Sequence, residues 1–400
     1  MRAVTVTLCT LLLPALAGVG PAAAQNLVIT NAHIIVGNGT VIERGSIVVR
    51  DGRIASVTAG APPAGAAGPT VDAAGLSVLP GFIDGHRHII NGNPQRWFAE
   101  QATDRLREFL ESGYTTLMSG GGPVPGIGEL KQRVESGQLQ GPRIITSGRA
   151  DPPNFTTEAE ARAQVQRMAE AGVEIIKARI DPVVVPAQIQ MLRAVVDEAK
   201  KHDLDVMVHA VSVPSMLAAV DAGAQKLVHT PHFSWLSLED AKKVADAGVE
   251  MLSTSGFGLP VFGVFNQDNV PTFRDGGKWP EDIIESQGRG EEAGQKPVNG
   301  RTLWDAGVIY GFGTDTGYHP RAGLKQELRA LSLMFSEQDI IKLMGPNTAA
   351  FIEKTADLGT LEAGKLADIV MVQGDPLDLI YNLLNVQVVV KGGQVVVDKR

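Results

Sequence analysis

The sequence predicts an α/β protein, a (β/α)8 TIM barrel joined to a small β-sandwich domain that both termini build. Eight apolar, strand-like runs alternate with amphipathic, helix-like stretches between Gly81 and Asp315. Strands that alternate with helices pair in parallel, and this interval is close to the ~250 residues typical of such a barrel. Val-rich, β-like runs flank the interval on both sides, so the two ends of the chain are expected to share a second domain.

The composition is that of a folded protein with a large core. The 400 residues are 44% apolar and 20% charged, which excludes a disordered chain. The formal net charge is −8 and the basic residues form no cluster, so nucleic acid is not an expected partner. The only cysteine is Cys9, which excludes a disulfide framework.

Residues 1–24 have the pattern of a secretory signal peptide. Arg2 supplies a positive charge, residues 4–19 are mostly apolar, and Ala22-Ala23-Ala24 forms a small-residue cleavage site. A membrane anchor is the alternative, but the apolar part is short and rich in Ala, Gly and Pro. The mature protein is therefore expected in the periplasm or outside the cell, without membrane association after cleavage.

The β-sandwich domain is expected to contain residues 25–79 and 356–400, with the barrel between them at residues 80–355. Asp51-Gly52 suits a tight hairpin turn, and Gly392-Gly393 predicts another. The strand-like runs of this domain are residues 26–36, 45–57, 367–372, 386–390 and 394–397.

The barrel elements follow from changes in hydrophobic pattern along the chain. Short Val- and Ile-rich runs predict strands, and longer stretches with apolar residues on one face predict helices. After the strand that begins at Gly81, the predicted strands are residues 114–119, 143–147, 174–179, 205–209, 226–229, 249–254 and 308–313. Predicted helices include residues 157–171, 186–201, 212–222 and 237–247.

Five of the eight predicted strands end in a residue that can bind a metal ion. A His-x-His sequence by itself does not establish a metal site. The alternative is a strand end whose two histidines form hydrogen bonds with nearby residues. Barrel sites lie at the carboxyl ends of the strands, however, so all these side chains would converge there. Nitrogen and oxygen ligands without sulfur suit zinc or a similar divalent ion. The six predicted ligands are His86, His88, Lys177, His209, His229 and Asp315.

A family resemblance rests on these strand ends together. The motifs are Pro-Gly-Phe-Ile-Asp-Gly-His-Arg-His at 80–88, Ile-Ile-Lys at 175–177, Val-His-Ala at 208–210, Val-His at 228–229, Gly-Thr-Asp at 313–315 and Leu-Gly-Thr-Leu-Glu-Ala-Gly-Lys-Leu-Ala-Asp-Ile-Val at 358–370. From Asn26 to its C-terminus the chain resembles the metal-dependent amidohydrolase superfamily, in particular its imidazolonepropionase-like and Xaa-Pro dipeptidase-like branch.

The resemblance implies two divalent ions, most simply zinc. His86, His88 and Asp315 would hold one ion, and His209 and His229 the other. Lys177 would be carboxylated and bridge them, because a lysine ammonium has no lone pair while a carbamate supplies two anionic oxygens. The alternative for Lys177 is a strand lysine paired with a nearby carboxylate.

The implied reaction is hydrolysis by water activated between the ions. Asp315 would accept the proton of that water and pass it to the leaving nitrogen. His229 or His232 would lie near the scissile carbonyl.

Four other residues are candidates for substrate contact. Arg179 would share the inward face with Lys177 and could clamp a substrate carboxylate, or else pair with Asp181. His232 and His319 follow strands that carry ligands, so they either touch substrate or are ordinary loop residues. Phe257 is the first aromatic residue of an aromatic-rich loop at residues 255–280. This loop either covers an apolar part of the substrate or packs on neighbouring helices.

The sequence therefore favours an exported hydrolase of a carbon–nitrogen bond in a small amide, dipeptide-like or cyclic amide substrate. Hydrolysis of a lactone, ester or phosphotriester on the same metal pair is the alternative reaction. A barrel that has lost catalysis and binds partners is a different class, and the presence of all six ligands argues against it. The sequence leaves open a homo-oligomer.

Overall fold

The structure of the chain, a computed structural model, describes residues 26–256, 290–317 and 319–400. In these ranges it has seventeen strands and eleven α-helices. The strands are β1 Leu27–Ile35, β2 Val41–Arg50, β3 Arg53–Ala59, β4 Thr70–Asp72, β5 Leu76–Pro80, β6 Phe82–Arg87, β7 Tyr114–Ser119, β8 Arg143–Ile145, β9 Ser147–Arg149, β10 Ile175–Arg179, β11 Asp205–His209, β12 Lys226–Val228, β13 Glu250–Leu252, β14 Tyr310–Gly311, β15 Ile369–Gln373, β16 Val386–Lys391 and β17 Gln394–Asp398.

The helices alternate with the strands in the middle of the chain. They are α1 Pro94–Glu100, α2 Ala102–Glu111, α3 Gly126–Glu135, α4 Glu158–Glu170, α5 Pro186–Lys200, α6 Val213–Asp221, α7 Leu238–Asp246, α8 Gly290–Asp305, α9 Pro320–Leu331, α10 Glu337–Lys342 and α11 Thr348–Phe351. None of the helices in the described ranges is long and apolar enough to cross a membrane.

Helices α4 to α7 lie within one residue of their predicted ends because their start signals are local. The side-chain oxygens of Thr157, Ser212 and Ser237 each accept a backbone N–H three residues further on, which fixes the first residue of α4, α6 and α7. Helix α5 begins at Pro186, where the missing N–H costs no helical hydrogen bond.

The strands of the middle region pair in parallel, which confirms the predicted α/β architecture. One sheet has the order β14-β13-β12-β11-β10-β9 and another the order β6-β7-β8. The first and last of these strands also meet, because Gly85 N donates to Phe312 O at 3.1 Å and Asp315 N donates to His86 O at 2.9 Å. Closure of all eight strands into a barrel stays a prediction.

The third predicted strand, residues 143–147, is divided in two. Thr146 separates β8 from β9, and its N–H donates to the Glu174 carboxylate at 3.0 Å instead of to a neighbouring strand. A side chain from the start of the next strand therefore interrupts the ladder, which the local apolar pattern does not reveal.

An apolar cluster packs against one face of the parallel strands. It takes one side chain from each of seven strands and is continued by Ala349, Phe351, Ile352 and Leu358. Ile175 and Met207 belong to this cluster, and Lys177 and His209 lie two residues beyond them. Because residues i and i+2 of a strand share a face, these two polar side chains stand above the cluster at the strands' carboxyl ends. The strand members of the cluster are Ile83, Met118, Ile145, Ile175, Met207, Val228 and Leu252.

Both termini contribute to one mixed sheet, as predicted. Its order is β17-β16-β15-β5-β1-β2-β3, with β4 also paired to β1. Strands β5 and β15 run antiparallel with Val78 opposite Met371. The hairpins turn at Asp51-Gly52 and Gly392-Gly393, where all four residues have positive φ. The sandwich form and the domain boundaries stay predictions.

The apolar residues 78–83, which precede the two histidines, belong to two different strands. Strand β5 ends at Pro80 in the terminal sheet, and β6 begins at Phe82 in a parallel sheet. Gly81 lies between them, and a Cβ there would be 2.2 Å from Oγ1 of Thr115. The apolar run therefore crosses from one sheet to another, and His88 lies just beyond the end of β6.

Candidate metal centre

Three of the six predicted ligands form a compact buried group. One ligand atom from each of His86, His229 and Asp315 lies within 4.8 Å of the other two. His86 is on β6, His229 follows β12, and Asp315 follows β14. Residues that are far apart in sequence thus meet because the carboxyl ends of parallel strands lie at one end of the fold.

Asp315 lies at the centre of the histidines. Its Oδ1 is 3.0 Å from Nε2 of His88 and 3.3 Å from Nε2 of His86, and its Oδ2 is 3.6 Å from Nδ1 of His229. The His86 side chain is 1% exposed, whereas that of His88 is 37% exposed. The site therefore has a buried floor and one histidine on its open side.

His209 extends this group toward the middle strands. It ends β11, and its ring centroid lies 4.3 Å from that of His229. The ring of His229 is in turn 5.3 Å from that of His86. The structure thus places the predicted ligands of both ions in one continuous cluster.

Lys177 differs from the other polar groups of the site in having a buried amine without a polar contact in the described ranges. Its side chain is buried, and its Nζ has no hydrogen-bonding partner among the described residues. Burial lowers the pKa of Lys177 to about 7, against the opposing effect of Asp315. An ion pair with a nearby carboxylate, the alternative considered for this lysine, is absent among the residues that the structure describes. An amine in this setting is suited to carboxylation, because its uncharged form is populated near neutral pH.

The protonation states also suit metal binding. Burial lowers the pKa of His86 to about 4 and that of His209 to about 3, so both rings are neutral at pH 7. Burial also brings the pKa of His229 well below its ordinary value. For Asp315, burial raises the pKa, but His229, His86 and His88 outweigh this and hold it well below the usual range. Neutral imidazoles and an ionised carboxylate are the forms that bind metal ions.

The buried atom Nδ1 of His86 is a second observation that fits a metal-binding site. It has no hydrogen-bonding partner within the described ranges, as is also true of Lys177 Nζ. Buried polar groups are normally paired, so two unpaired nitrogens in one small site need an explanation. The donor set of imidazole nitrogens and a carboxylate fits a divalent cation such as zinc.

The backbone at three strand ends is in an unfavourable conformation. His229, Thr254 and Asp315 have φ of 73°, 41° and 53°, in the left-handed region that side chains other than glycine rarely adopt. Such residues are concentrated at functional sites. Here the three residues lie one, two and four positions after the ends of β12, β13 and β14.

Several residues that support the ligands were not predicted. Thr254 Oγ1 lies 2.8 Å from Nδ1 of His229 and fixes the orientation of that ring. The buried Asp84 accepts hydrogen bonds from His86 N at 3.1 Å and from Thr314 N at 3.0 Å, so it joins the two strand ends that carry His86 and Asp315. Asp84 stands inside the quoted 80–88 motif, which was the available signal, whereas Thr254 carries no comparable one.

Glycines after β7 make room for the ligands. A Cβ on Gly120 would lie 2.9 Å from Nε2 of His86, and one on Gly121 would lie 3.3 Å from Cγ of Lys177. Gly120 and Gly121 therefore pack directly against two predicted ligands.

The predicted substrate contacts are less distinctive. Arg179 is half-exposed and pairs with Asp181 at 2.9 Å, which is the alternative that the sequence left open. His232 is partly buried, and its Nδ1 lies 3.1 Å from Thr230 O. His319 is exposed and precedes α9 with φ of 39°. Phe257, most of the loop at 255–280 and the leader at 1–24 lie outside the described residues.

Comparisons with known proteins agree with this geometry. The model of the Amidohydrolase family matches residues 77–396. The chain is 23% identical over 423 residues to an imidazolonepropionase of Shouchella clausii (strain KSM-K16), covering 90% of this chain and 86% of that protein.

Two solved structures share the fold. One is a Xaa-Pro dipeptidase with methionine bound in its active site, with a TM-score of 0.76, 24% identity and coverage of 92% of this chain and 99% of that chain. The other is a Bifidobacterium longum protein assigned as a prolidase, with a TM-score of 0.76, 26% identity and coverage of 94% and 96%.

Proposed function

Because the chain belongs to the amidohydrolase family, we propose that it is a metal-dependent hydrolase that cleaves a carbon–nitrogen bond in a small amide, dipeptide-like or cyclic amide substrate. The observation that carries the proposal is the buried group of His86, His229 and Asp315, with the unpaired Lys177 amine beside it. The similarity to an imidazolonepropionase supports a cyclic amide, and the similarity to Xaa-Pro dipeptidases supports a dipeptide-like substrate.

The proposed centre would hold two zinc ions. His86, His88 and Asp315 would bind one, His209 and His229 the other, and a carboxylated Lys177 would be shared between them. The three neutral histidines and the ionised Asp315 are in the protonation states that this assignment needs. Thr254 would keep the His229 ring in its binding orientation through the 2.8 Å contact at Nδ1.

The roles of the side chains follow from their positions. When bound, the ions would supply Lewis acidity, which makes water a nucleophile near neutral pH and polarises the scissile carbonyl. Asp315 accepts the proton of the attacking water and delivers it to the leaving nitrogen, because its carboxylate is ionised and lies at the centre of the site. His229, or His232 three residues further on, would lie near the scissile carbonyl.

The wider features of the protein belong to the same proposal. The hydrogen bonds between β6 and the residues around β14 support a closed (β/α)8 barrel at residues 80–355. The terminal strands would form a β-sandwich from residues 25–79 and 356–400. Residues 1–24 would direct export to the periplasm or beyond and then be removed.

The proposal is tested by a hydrolysis screen on the purified mature chain loaded with zinc. The panel contains N-acyl amino acids, Xaa-Pro dipeptides, cyclic ureides, lactones and esters. We expect cleavage within one of the three carbon–nitrogen classes, and loss of that cleavage in His229→Asn. His202→Asn is the matched control, because His202 lies at the end of α5 away from the site and its replacement should leave the rate unchanged.

The outcomes separate the competing reactions. Cleavage of lactones or esters alone would favour the alternative reaction on the same centre. Absence of hydrolysis across the panel, with zinc bound, would contradict the proposed function.

A further inference from the structure

Exposed apolar side chains are concentrated in two loops that follow ligand-bearing strands. Trp235 is 60% exposed and Phe233 is 45% exposed, and both follow His229 in the loop after β12. Val183, Val184 and Val185 are also exposed, and they follow Lys177 in the loop after β10. Exposed apolar residues in one region of a surface indicate an interaction site more often than isolated ones do.

Asn299 forms hydrogen bonds with the backbone of the loop that carries the two rings. This residue of α8 is completely buried. Its Nδ2 donates to Pro231 O at 2.8 Å and to Ser234 O at 2.9 Å, and its Oδ1 accepts from Leu236 N at 2.9 Å. A single amide thus satisfies backbone groups before, within and after the segment 232–235. The backbone that carries Phe233 and Trp235 is therefore held by hydrogen bonds on both sides of the two rings.

Hydrogen bonds also join this loop to the ends of the neighbouring strands. His232 N donates to Val211 O at 2.9 Å, and Ser212 Oγ donates to Pro182 O at 2.5 Å. The loops after β10, β11 and β12 are consequently connected side by side. These loops follow Lys177, His209 and His229, so the two exposed rings belong to a group of connected loops at the carboxyl ends of the ligand-bearing strands.

We infer that Phe233 and Trp235, positioned by Asn299, form an apolar wall that binds an uncharged aromatic or branched aliphatic group of the substrate, with residues 183–185 on the side of β10. This inference rests on the proposed function and specifies its substrate class. The wall lies in loops that directly follow the ligand-bearing strands, and for this reason we assign its occupant to the molecule being hydrolysed. It is also far smaller than the ~20–30 residues per side of a stable protein interface.

The wall gives selectivity through burial of apolar surface. A ring that packs on Trp235 loses contact with water in the bound state, and a substrate without such a group gains nothing there. Because the contact is remote from the reacting bond, it stabilises the bound substrate and the transition state by the same free energy. Its loss should therefore raise KM and leave kcat nearly unchanged.

The test compares paired substrates that differ only in one side chain, Phe-Pro with Gly-Pro and N-acetyl-Phe with N-acetyl-Gly, on the zinc-loaded enzyme. We expect the wild-type protein to prefer the phenyl member. Trp235→Ala and Phe233→Ala should each raise KM for that member about tenfold and change KM for the glycine member less than about twofold. Leu333→Ala is the matched control, since Leu333 is equally exposed but follows α9, and it should change neither.

A second variant tests the role of Asn299. Asn299→Asp keeps the acceptor for Leu236 N but cannot donate to Pro231 O and Ser234 O. It should reduce the preference for the phenyl member while both rings remain present. If this variant does not fold, the two exposed-ring variants still decide the question.

Three results would overturn the inference. They are equal KM for the two members in the wild-type enzyme, equal losses for both members in the ring variants, and unchanged kinetics in those variants. Each of these requires that hydrolysis occurs, so each leaves the proposed function intact. Absence of hydrolysis of every substrate by the wild-type enzyme would contradict the proposed function and this inference with it.

Discussion

Lys177→Ala should remove most of the bound metal and reduce hydrolysis at least about 100-fold, which is the largest effect that we expect on metal content. The buried Nζ has no hydrogen-bonding partner in the described part of the chain. The unmodified amine therefore makes no stabilising polar contact there, whereas a carbamate that binds metal would. Alanine leaves space at this position, and added formate or acetate should restore part of the metal and activity by replacing the carbamate. Metal analysis by mass spectrometry and steady-state rates measure both effects.

The pH dependence of metal loading gives a second readout for the same lysine. Carboxylation needs the uncharged amine, whose nitrogen adds to carbon dioxide and then loses one proton. Burial lowers the pKa of Lys177 to about 7, so the uncharged fraction rises as the pH increases through that value. Metal-free protein with bicarbonate and zinc should therefore load more completely at pH 8 than at pH 6. A lysine with an ordinary pKa would be almost fully charged at both.

Lys131→Ala is the control for this prediction. Lys131 pairs with Glu174 at 2.8 Å, and its loss should leave metal content unchanged. Two bound metal ions and full activity in Lys177→Ala would show that this lysine is not a bridge.

Asp315→Asn should lower kcat about a thousandfold while KM changes little. General acid–base catalysis contributes typically about 10²–10⁴-fold, and asparagine cannot accept the proton that the carboxylate takes from water. Since Asp315 also contacts His86 and His88 at 3.3 and 3.0 Å, its replacement could weaken metal binding. Metal content is therefore measured on the same samples as kcat.

Asp305→Asn is the matched control for the loss of a carboxylate charge. Asp305 pairs with Arg301 at 2.9 Å at the end of α8, and its replacement should leave both kcat and metal content unchanged. A near-normal kcat in Asp315→Asn with full metal content would remove Asp315 from the proton transfer.

The strand positions and the side chains at the strand ends could be predicted from the sequence because both depend on local signals. An apolar run followed by histidine, lysine or aspartate gives a strand and the group at its end. The parallel order of the strands then places those ends together, which is why His86, His229 and Asp315 meet within 4.8 Å. The hairpin turns at Asp51-Gly52 and Gly392-Gly393 are equally local, since their backbone conformation favours glycine.

Features that depend on contacts between distant residues could not be predicted. The change of sheet at Gly81 depends on the close approach of Thr115, and nothing in the apolar run marks it. The break at Thr146 depends on the carboxylate of Glu174. Asn299 supports a loop more than sixty residues earlier in the chain, and a lone asparagine in a helix gives no indication of that role.

The pairing of Arg179 shows a different limit. The sequence places this arginine correctly at the end of β10, on the same strand as Lys177. It cannot show whether a nearby carboxylate already uses the guanidinium, and Asp181 does so at 2.9 Å. Placement therefore follows from strand geometry, whereas availability for substrate depends on side-chain conformation.

The central claim is that hydrolysis depends on a two-metal centre at these strand ends. The most direct measurement is a titration of the metal-free protein with zinc in the presence of bicarbonate, with bound metal and hydrolysis rate determined on each sample. The account predicts that activity is absent without metal, rises with added zinc and reaches its maximum at two ions per chain. Full activity in the metal-free protein would contradict it.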